Sequence, residues 1–360
     1  MVEITRGNLI ETDSEALVNT VNCVGYMGKG IALQFKKAFP DNFNAYERVC
    51  RTGELKPGKM FVFSTGSLVN PKYIINFPTK RDWREKSRIE DIQIGLTSLI
   101  IEIRKFGISS IALPPLGCGL GGLNWNDVKP LIERAFDDLP DIHVMLFEPT
   151  GAPEAKAMPV RTNRPRMTVA RAVLIKLIQQ YTQLAYRLTL LEIQKMAYFL
   201  QEAGEPLRLR YEAGIYGPYA HNLNKVIEIM EGHFTRGYGD TQKPDVEIEL
   251  LAGPIKEADD NLAGHDISAN RLDRVARLIE GFETPYGMEL LSSVHWVAVH
   301  GTKPATNSDM AVQAVQEWND RKRRMFKSEH IQIAWEKLNE QGWLNSGKVS
   351  DLETNGLSHY

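Results

Sequence analysis

The chain has 360 residues, 43% of them hydrophobic, enough to bury more than one core and to build roughly two domains. Lys plus Arg number 43 against 45 for Asp plus Glu. That near-balance excludes a protein coated for bulk nucleic acid or membrane surface and confines any such contact to local patches.

The three cysteines, Cys23, Cys50 and Cys118, cannot all pair and show no C-x-x-C spacing. This argues against a disulfide framework and against structural zinc, and neither a metal nor a cofactor is expected. The start, Met1 to Gly7, lacks the basic end and apolar run of a secretory signal, and no segment approaches the length of a membrane span, so a cytoplasmic location is expected.

From the start of the chain, short β-branched runs alternate with helical patterns, the sign of an α/β layered domain. Strands are expected over 16–20, 59–64, 73–76, 110–113 and 143–147, and helices over 31–38, 89–106 and 125–139. Ile89, Ile92, Leu96, Leu99, Ile100 and Ile103 recur at helical spacing and should cover one sheet face. Past Pro149, Thr150 to Pro153 and the stretch from Pro159 to Pro165 are poor core formers. The expected division is a first domain over 1–155, a linker over 156–165 and a mainly α-helical second domain over 166–360. Helices are expected there over 173–184, 191–200, 223–230 and 328–341. Gly204, Gly232 and Gly342 serve as stops and Ser328 as an N-cap.

Of the eight histidines only His143 precedes residue 155, inside a strand run. Chemistry in the first half must therefore rest on a carboxylate, a lysine, backbone dipoles or water. Two glycine-rich segments each follow a strand and open a helix: Gly25-Tyr26-Met27-Gly28-Lys29-Gly30, and Gly117-Cys118-Gly119-Leu120-Gly121-Gly122. Glycine lets backbone N–H groups approach a phosphate and the helix N-terminus adds a favourable dipole, so the pair suggests a pyrophosphate gripped from both sides. Neither loop fits the dinucleotide fingerprint or the Walker pattern, and either one alone reads more readily as a tight turn. Lys80, just past the strand run Tyr73-Ile74-Ile75-Asn76, belongs to a strand-end loop of the kind that borders such clefts. Cys23 and Cys118 lie in the loops but have no histidine beside them, and each reads as a small buried filler.

Gly7-Asn8-Leu9, Ala16-Leu17-Val18-Asn19-Thr20-Val21-Asn22, Met27-Gly28-Lys29-Gly30-Ile31-Ala32 and Gly117-Cys118-Gly119-Leu120-Gly121 resemble the macrodomain family in order and spacing. The resemblance implies a mixed, largely parallel sheet sandwiched by helices, with ADP-ribose at the strand ends. It implies that Asn8 receives the adenine amino group, where many relatives carry Asp, and that Leu9 is among the ligand-binding residues. Thr20, Val21, Asn22 and Thr79 would line the cleft, Asn22 bonding the distal ribose. Ile31, Ala32, Leu33 and Gln34 would meet the pyrophosphate from one side, and Gly117, Cys118, Gly119, Leu120 and Gly121 from the other. Within the family the chain is similar to ADP-ribosyl glycohydrolases that use a lysine, which makes Lys80 the catalytic residue, as an amine nucleophile or as a cation. Some relatives add an Asp in the second loop; here there is none, and Asp127 lies further along.

That branch implies an antitoxin acting on single-stranded DNA that carries ADP-ribose on thymidine, placed there by a DarT-like ADP-ribosyltransferase toxin, with ADP-ribose as product. From Lys80 to Arg88 the basic residues Lys80, Arg81, Arg84, Lys86 and Arg88 outnumber Asp82 and Glu85. Arg81 and Arg84 can follow phosphates while Trp83 stacks on an unpaired base; a solvated loop is the plainer reading. In the second half Leu191 to Leu200 and Tyr216-Gly217-Pro218-Tyr219 resemble the Panacea-type antitoxin module, implying a domain that neutralises the toxin by contact. Acids between Asp240 and Asp266 could imitate phosphates, and Arg321-Lys322-Arg323-Arg324 leaves room for DNA. Rival readings are a hydrolase for ADP-ribosylated acidic protein side chains, a non-catalytic ADP-ribose reader, and a regulator whose second half binds DNA.

Overall fold

The computed structural model describes residues 2–149, 157–183, 187–239 and 247–344. The chain forms two compact units, Met1–Arg164 together with Glu231–Val246, and Pro165–Met230 together with Glu247–Tyr360.

The first unit is built on six strands: β1 (Val2–Thr5), β2 (Ala16–Val21), β3 (Phe61–Ser64), β4 (Tyr73–Pro78), β5 (Ser110–Leu113) and β6 (His143–Phe147). They lie in the order β1-β6-β5-β2-β4-β3, parallel throughout except that β3 runs antiparallel to β4. Four helices cover the faces: α1 (Gly30–Ala38), α2 (Pro40–Arg51), α3 (Ile89–Phe106) and α4 (Trp125–Phe136). This is the mixed, mostly parallel sandwich that the sequence resemblance implies.

Side chains alternate across each strand, so one strand feeds both faces. Val18, Ile75, Ile111 and Leu113 join Ile92, Leu96 and Leu99 of α3 and Val128 and Ile132 of α4 in one core. Leu17, Ile74 and Ala112 join Phe35 of α1 in the opposite one. Inside the sheet, Asn76 Nδ2 donates to Asn42 Oδ1 at 2.8 Å and Asn19 Nδ2 to Asn76 Oδ1 at 3.1 Å. The three amides tie β2, β4 and α2 together beneath the strand ends.

The expected division at a 156–165 linker is corrected. Residues 157–164 are docked on the first unit: Arg161 N–H donates to the Lys37 carbonyl at 2.8 Å, and Met158 packs on the Phe35 core. Glu231–Val246 joins the same unit from far along the chain. His233 Nε2 lies 2.8 Å from Thr162 Oγ1, the Arg164 guanidinium sits over the fully buried Phe234 ring, and Gly232 packs against Val160. The prolines pointed to a linker, but Met158 and Val160 are apolar side chains that folding half-buries.

The second unit is helical: α5 (Val169–Gln183), α6 (Leu190–Glu202), α7 (His221–Met230), α8 (Gly253–Leu262), α9 (Asp266–Ile279), α10 (Pro285–Val299), α11 (Ser308–Trp318), α12 (Asp320–Met325) and α13 (Ser328–Glu340), with one hairpin of β7 (Tyr211–Gly214) and β8 (Gly217–Ala220). A capping box starts α6, Thr189 and Glu192 bonding each other's backbone, and Glu192 to Leu200 is buried along its length. The Gly217-Pro218 motif closes on a polar hub. Lys195 Nζ donates to the Pro218 carbonyl at 2.6 Å, and Lys322 Nζ donates to Glu289 Oε1 at 2.8 Å and Ser293 Oγ at 2.9 Å. Arg321 Nη1 reaches the same Glu289 oxygen at 2.5 Å.

Two expectations change here. Half of the basic run Arg321 to Arg324 is turned onto Glu289, with Lys322 fully buried and Arg321 half-buried, while Arg323 and Arg324 are exposed. Ser328 is the first residue of α13 rather than its cap; Lys327 holds the cap position and Ser328 Oγ accepts from Gln316 Nε2 at 3.2 Å. Of the acidic run, Asp240 and Asp245 lie outside the described residues. Among the described residues no helix is long and apolar enough to cross a membrane.

Candidate active site

The three central strands β5, β2 and β4 are adjacent and parallel, so their carboxyl ends deliver three loops to one edge of the sheet. From β2 come Asn22 and the first glycine loop, from β4 come Thr79 and Lys80, and from β5 comes the second glycine loop. The loops are stitched together. Thr79 N–H donates to the Val21 carbonyl at 2.9 Å and Cys23 N–H to the Arg81 carbonyl at 3.1 Å. Lys80 Nζ donates to the Leu120 carbonyl at 2.5 Å, and Ser87 N–H to the Gly121 carbonyl at 3.0 Å. A Cβ on Gly30 would stand 3.7 Å from Leu120 Cδ1, so the first loop touches the second where Lys80 arrives. Burial among these loops lowers the Lys80 pKa from its ordinary value.

Asn22 organises the first loop. Its Oδ1 accepts from Val24 N–H at 3.0 Å, Tyr26 N–H at 3.3 Å and the Tyr46 hydroxyl at 3.1 Å, while Nδ2 donates to the Tyr26 carbonyl at 2.5 Å. What the amide can still offer a ribose is the second N–H of Nδ2. The Tyr26 ring lies across Gly28, where a Cβ would come within 2.3 Å of it, which explains glycine at that position. In the second loop Gly121 is equally constrained, because a Cβ would stand 2.1 Å from the Gly117 carbonyl oxygen and 2.2 Å from Ser87 Oγ. A side chain, acidic or otherwise, has no room there.

The remaining expected residues divide by exposure. Leu9, Val21 and Leu33 are buried with their side chains in the core, so only their backbones are available to a ligand. Ile31 and Ala32 are half-buried in the first turn of α1, followed by the half-buried Gln34. Thr20 and Cys118 are half-buried, Thr79 and Gly117 buried, and Gly119 and Leu120 exposed at the loop tip. Asn8 caps the short turn Leu9–Glu11, its Oδ1 accepting the Ile10 N–H at 3.1 Å and its Nδ2 donating to the Ala157 carbonyl at 3.3 Å.

A macro domain family model matches residues 18–132. Over 352 aligned residues the chain is 44% identical to a DNA ADP-ribosyl glycohydrolase of Thermus aquaticus, spanning 98% of this chain and 96% of that protein. The chain belongs to the DNA ADP-ribosyl glycohydrolase family. A DNA ADP-ribosyl transferase-DNA ADP-ribosyl glycohydrolase fusion protein of Thermosipho africanus is 34% identical over 41% of this chain and 42% of its own length. The solved macrodomain of Mycobacterium tuberculosis DarG is 53% identical over 42% of this chain and 99% of its own, with a TM-score of 0.41.

Membership makes this glycohydrolase a hydrolase, and the reactive groups at its loops narrow what can act. The Cys23 and Cys118 thiols are each pushed up to about 11 by burial, which keeps them protonated and weakly nucleophilic at neutral pH. Among the residues expected to meet DNA, Arg81 is committed elsewhere: its guanidinium holds the buried Asp91 carboxylate through two bonds of 2.5 and 3.0 Å. It fixes the loop to the first turn of α3, with 46% of the Arg81 side chain exposed. Trp83 is 44% exposed, its ring 5.4 Å from that of Tyr26, and the Arg84 guanidinium lies 4.7 Å over it. Tyr26, Tyr46 and Ser87 escaped the sequence reading. Tyr26 stood inside a glycine motif read for its glycines, and Tyr46 is separated from Asn22 by a whole helix.

Proposed function

We propose that this glycohydrolase removes ADP-ribose from thymidine in single-stranded DNA with Lys80 as its catalytic residue, and that its second unit neutralises a DarT-like ADP-ribosyltransferase by direct binding. The observation that carries the first half is the meeting of the Lys80 ammonium with the Leu120 carbonyl, between two glycine loops at the ends of three parallel strands. The loops' N–H groups and the start of α1 suit a pyrophosphate, and the ribose beyond it then lies toward Lys80.

Hydrolysis breaks the bond between the ribose anomeric carbon and a thymine nitrogen, forms one from that carbon to water oxygen, and delivers a proton to the departing base. Lys80, with its pKa lowered by burial, is a better proton donor than an ordinary lysine, and as a cation it also favours the negative charge that develops on the base. A rate that falls as pH rises through the Lys80 pKa supports this role. A rate that rises there, with a borohydride-trapped adduct on Lys80, assigns it to nucleophilic attack instead.

The Tyr26–Trp83–Arg84 stack favours DNA over protein as the carrier of the ADP-ribose, because an exposed indole beside a guanidinium suits an unpaired base. Release from an ADP-ribosylated oligonucleotide, compared with release from ADP-ribosylated glutamate on a protein, tests it: preference for the protein overturns the assignment. The pairing with a transferase is supported by the relative in which both activities are named for one chain. A Lys80→Ala chain should still inhibit the purified transferase stoichiometrically. Loss of inhibition along with hydrolysis would contradict neutralisation by contact.

A further inference from the structure

Gly30 is the first residue of α1, and its N–H is among the donors that a helix start leaves without an intrahelical partner. Here it donates to the carbonyl of Gly239 at 3.0 Å. Gly239 is the last described residue of a segment that begins at Glu231 and is folded tightly up to that point. The Glu231 carboxylate accepts the N–H groups of Gly237 at 3.0 Å and Tyr238 at 3.2 Å, and Gly232 N–H donates to the Thr235 carbonyl at 2.7 Å. Phe234 and Thr235 are fully buried, and Tyr238 is nearly so. The segment also grips the residues on either side of Gly30. Lys29 Nζ lies 5.3 Å from the centre of the Tyr238 ring, and Gly239 approaches Leu33 so closely that a Cβ would stand 2.8 Å from its Cδ2.

We propose that Glu231 is a positioning residue for ADP-ribose binding: it folds the segment whose Gly239 carbonyl fixes the first turn of α1, the turn that faces the pyrophosphate. Gly30 has φ +58, a conformation held cheaply only by glycine, and an untethered glycine at a helix start lets the turn fray. Tying its N–H to Gly239 sets the direction of the next amides, those of Ile31 and Ala32, before any ligand arrives. That ordering cost is then met in folding and not in binding. The consequence is that a segment coded far downstream of the macrodomain controls the affinity of the macrodomain for its ligand. The inference rests on the reading that the pyrophosphate lies against α1.

The test uses the full chain, with ADP-ribose affinity by calorimetry, steady-state release from the modified oligonucleotide, and amide exchange at Gly30. Glu231→Ala should weaken ADP-ribose binding about tenfold, a loss comparable to that of a helix cap, and raise KM by a similar factor with kcat nearly unchanged, because Lys80 is not moved. Gly30 exchange should quicken. Glu231→Gln, which keeps the volume and one acceptor, should fall between, and gives the same reading if Glu231→Ala does not purify. Unchanged affinity with quickened Gly30 exchange would overturn the proposal; tighter binding would also do so, since it would make the segment a plug. Gly119→Glu, which puts a negative charge into the second loop, separates the two readings. If it too leaves affinity intact, the placement of the ligand fails; if it abolishes binding while Glu231→Ala does not, the positioning role alone fails.

Discussion

Gly121→Ala is the smallest change that should disable the site. The new methyl carbon would lie 2.1 Å from the Gly117 carbonyl oxygen, 2.8 Å from its carbon and 2.2 Å from Ser87 Oγ. The Gly117 carbonyl cannot swing away freely, because it accepts the Leu123 N–H at 3.1 Å. Reaching ordinary contact distance requires the loop to move by about an ångström, and overpacking of this kind costs about 1–3 kcal/mol. The movement also pulls on the Ser87 N–H bond to Gly121 and shifts the adjacent Leu120 carbonyl, on which Lys80 rests. A displacement of that size at a reacting centre costs on the order of a hundredfold in rate. Single-turnover release of ADP-ribose from a modified oligonucleotide should therefore slow by about that factor, together with a lower melting temperature. Gly119→Ala is the control for stability alone: no heavy atom of the protein lies within 4 Å of its added carbon, and the melting temperature should stay near that of the parent. A Gly121→Ala protein that hydrolyses at the parent rate would refute the packing argument.

Trp83→Ala should weaken binding of single-stranded DNA by about 1–3 kcal/mol while leaving affinity for free ADP-ribose unchanged, read by fluorescence anisotropy and calorimetry. In the second unit His295 is buried with its pKa lowered to about 4, Tyr198 OH lying 2.7 Å from Nδ1 and the Trp343 carbonyl accepting from Nε2 at 3.2 Å. The unfolded chain binds the proton more readily, so stability falls as pH drops from 6.5 toward 4, by about 3 kcal/mol in all. Urea melts across that window check it, and His295→Gln should flatten the dependence. Glu289→Ala leaves the buried Lys322 ammonium without its carboxylate and should cost about 3–5 kcal/mol, measured by chemical denaturation.

What the sequence made legible was local. The five expected strands of the first unit all form, because each is a short apolar run bounded by turn residues, and the two glycine loops stand where strand ends place them. β1 was not expected, since Val2-Glu3-Ile4-Thr5 is a half-exposed edge strand with too few apolar residues to register. α2 was missed as well: it opens at Pro40, and its apolar side chains Phe43, Tyr46, Val49 and Cys50 are diluted by charge. In the second unit nothing in the sequence sets Glu289, Lys322 and Lys195 apart from other charged residues, and only the fold reveals that they are buried. The largest difference was topological. No periodicity in one stretch can show that Glu231 to Gly239 returns to α1, because the bonds that hold it are non-local. The Arg81 side chain illustrates the same point in the site itself: its charge is plain in the sequence, and only the fold shows that it pairs with Asp91.

The account depends most on Lys80 acting where the two glycine loops meet. Single-turnover release from an oligonucleotide bearing ADP-ribose on thymidine, measured for Lys80→Ala alongside its calorimetric affinity for ADP-ribose, puts that to the test. The account predicts that release is abolished while affinity persists. Release at the parent rate by a protein that still binds ADP-ribose would contradict it.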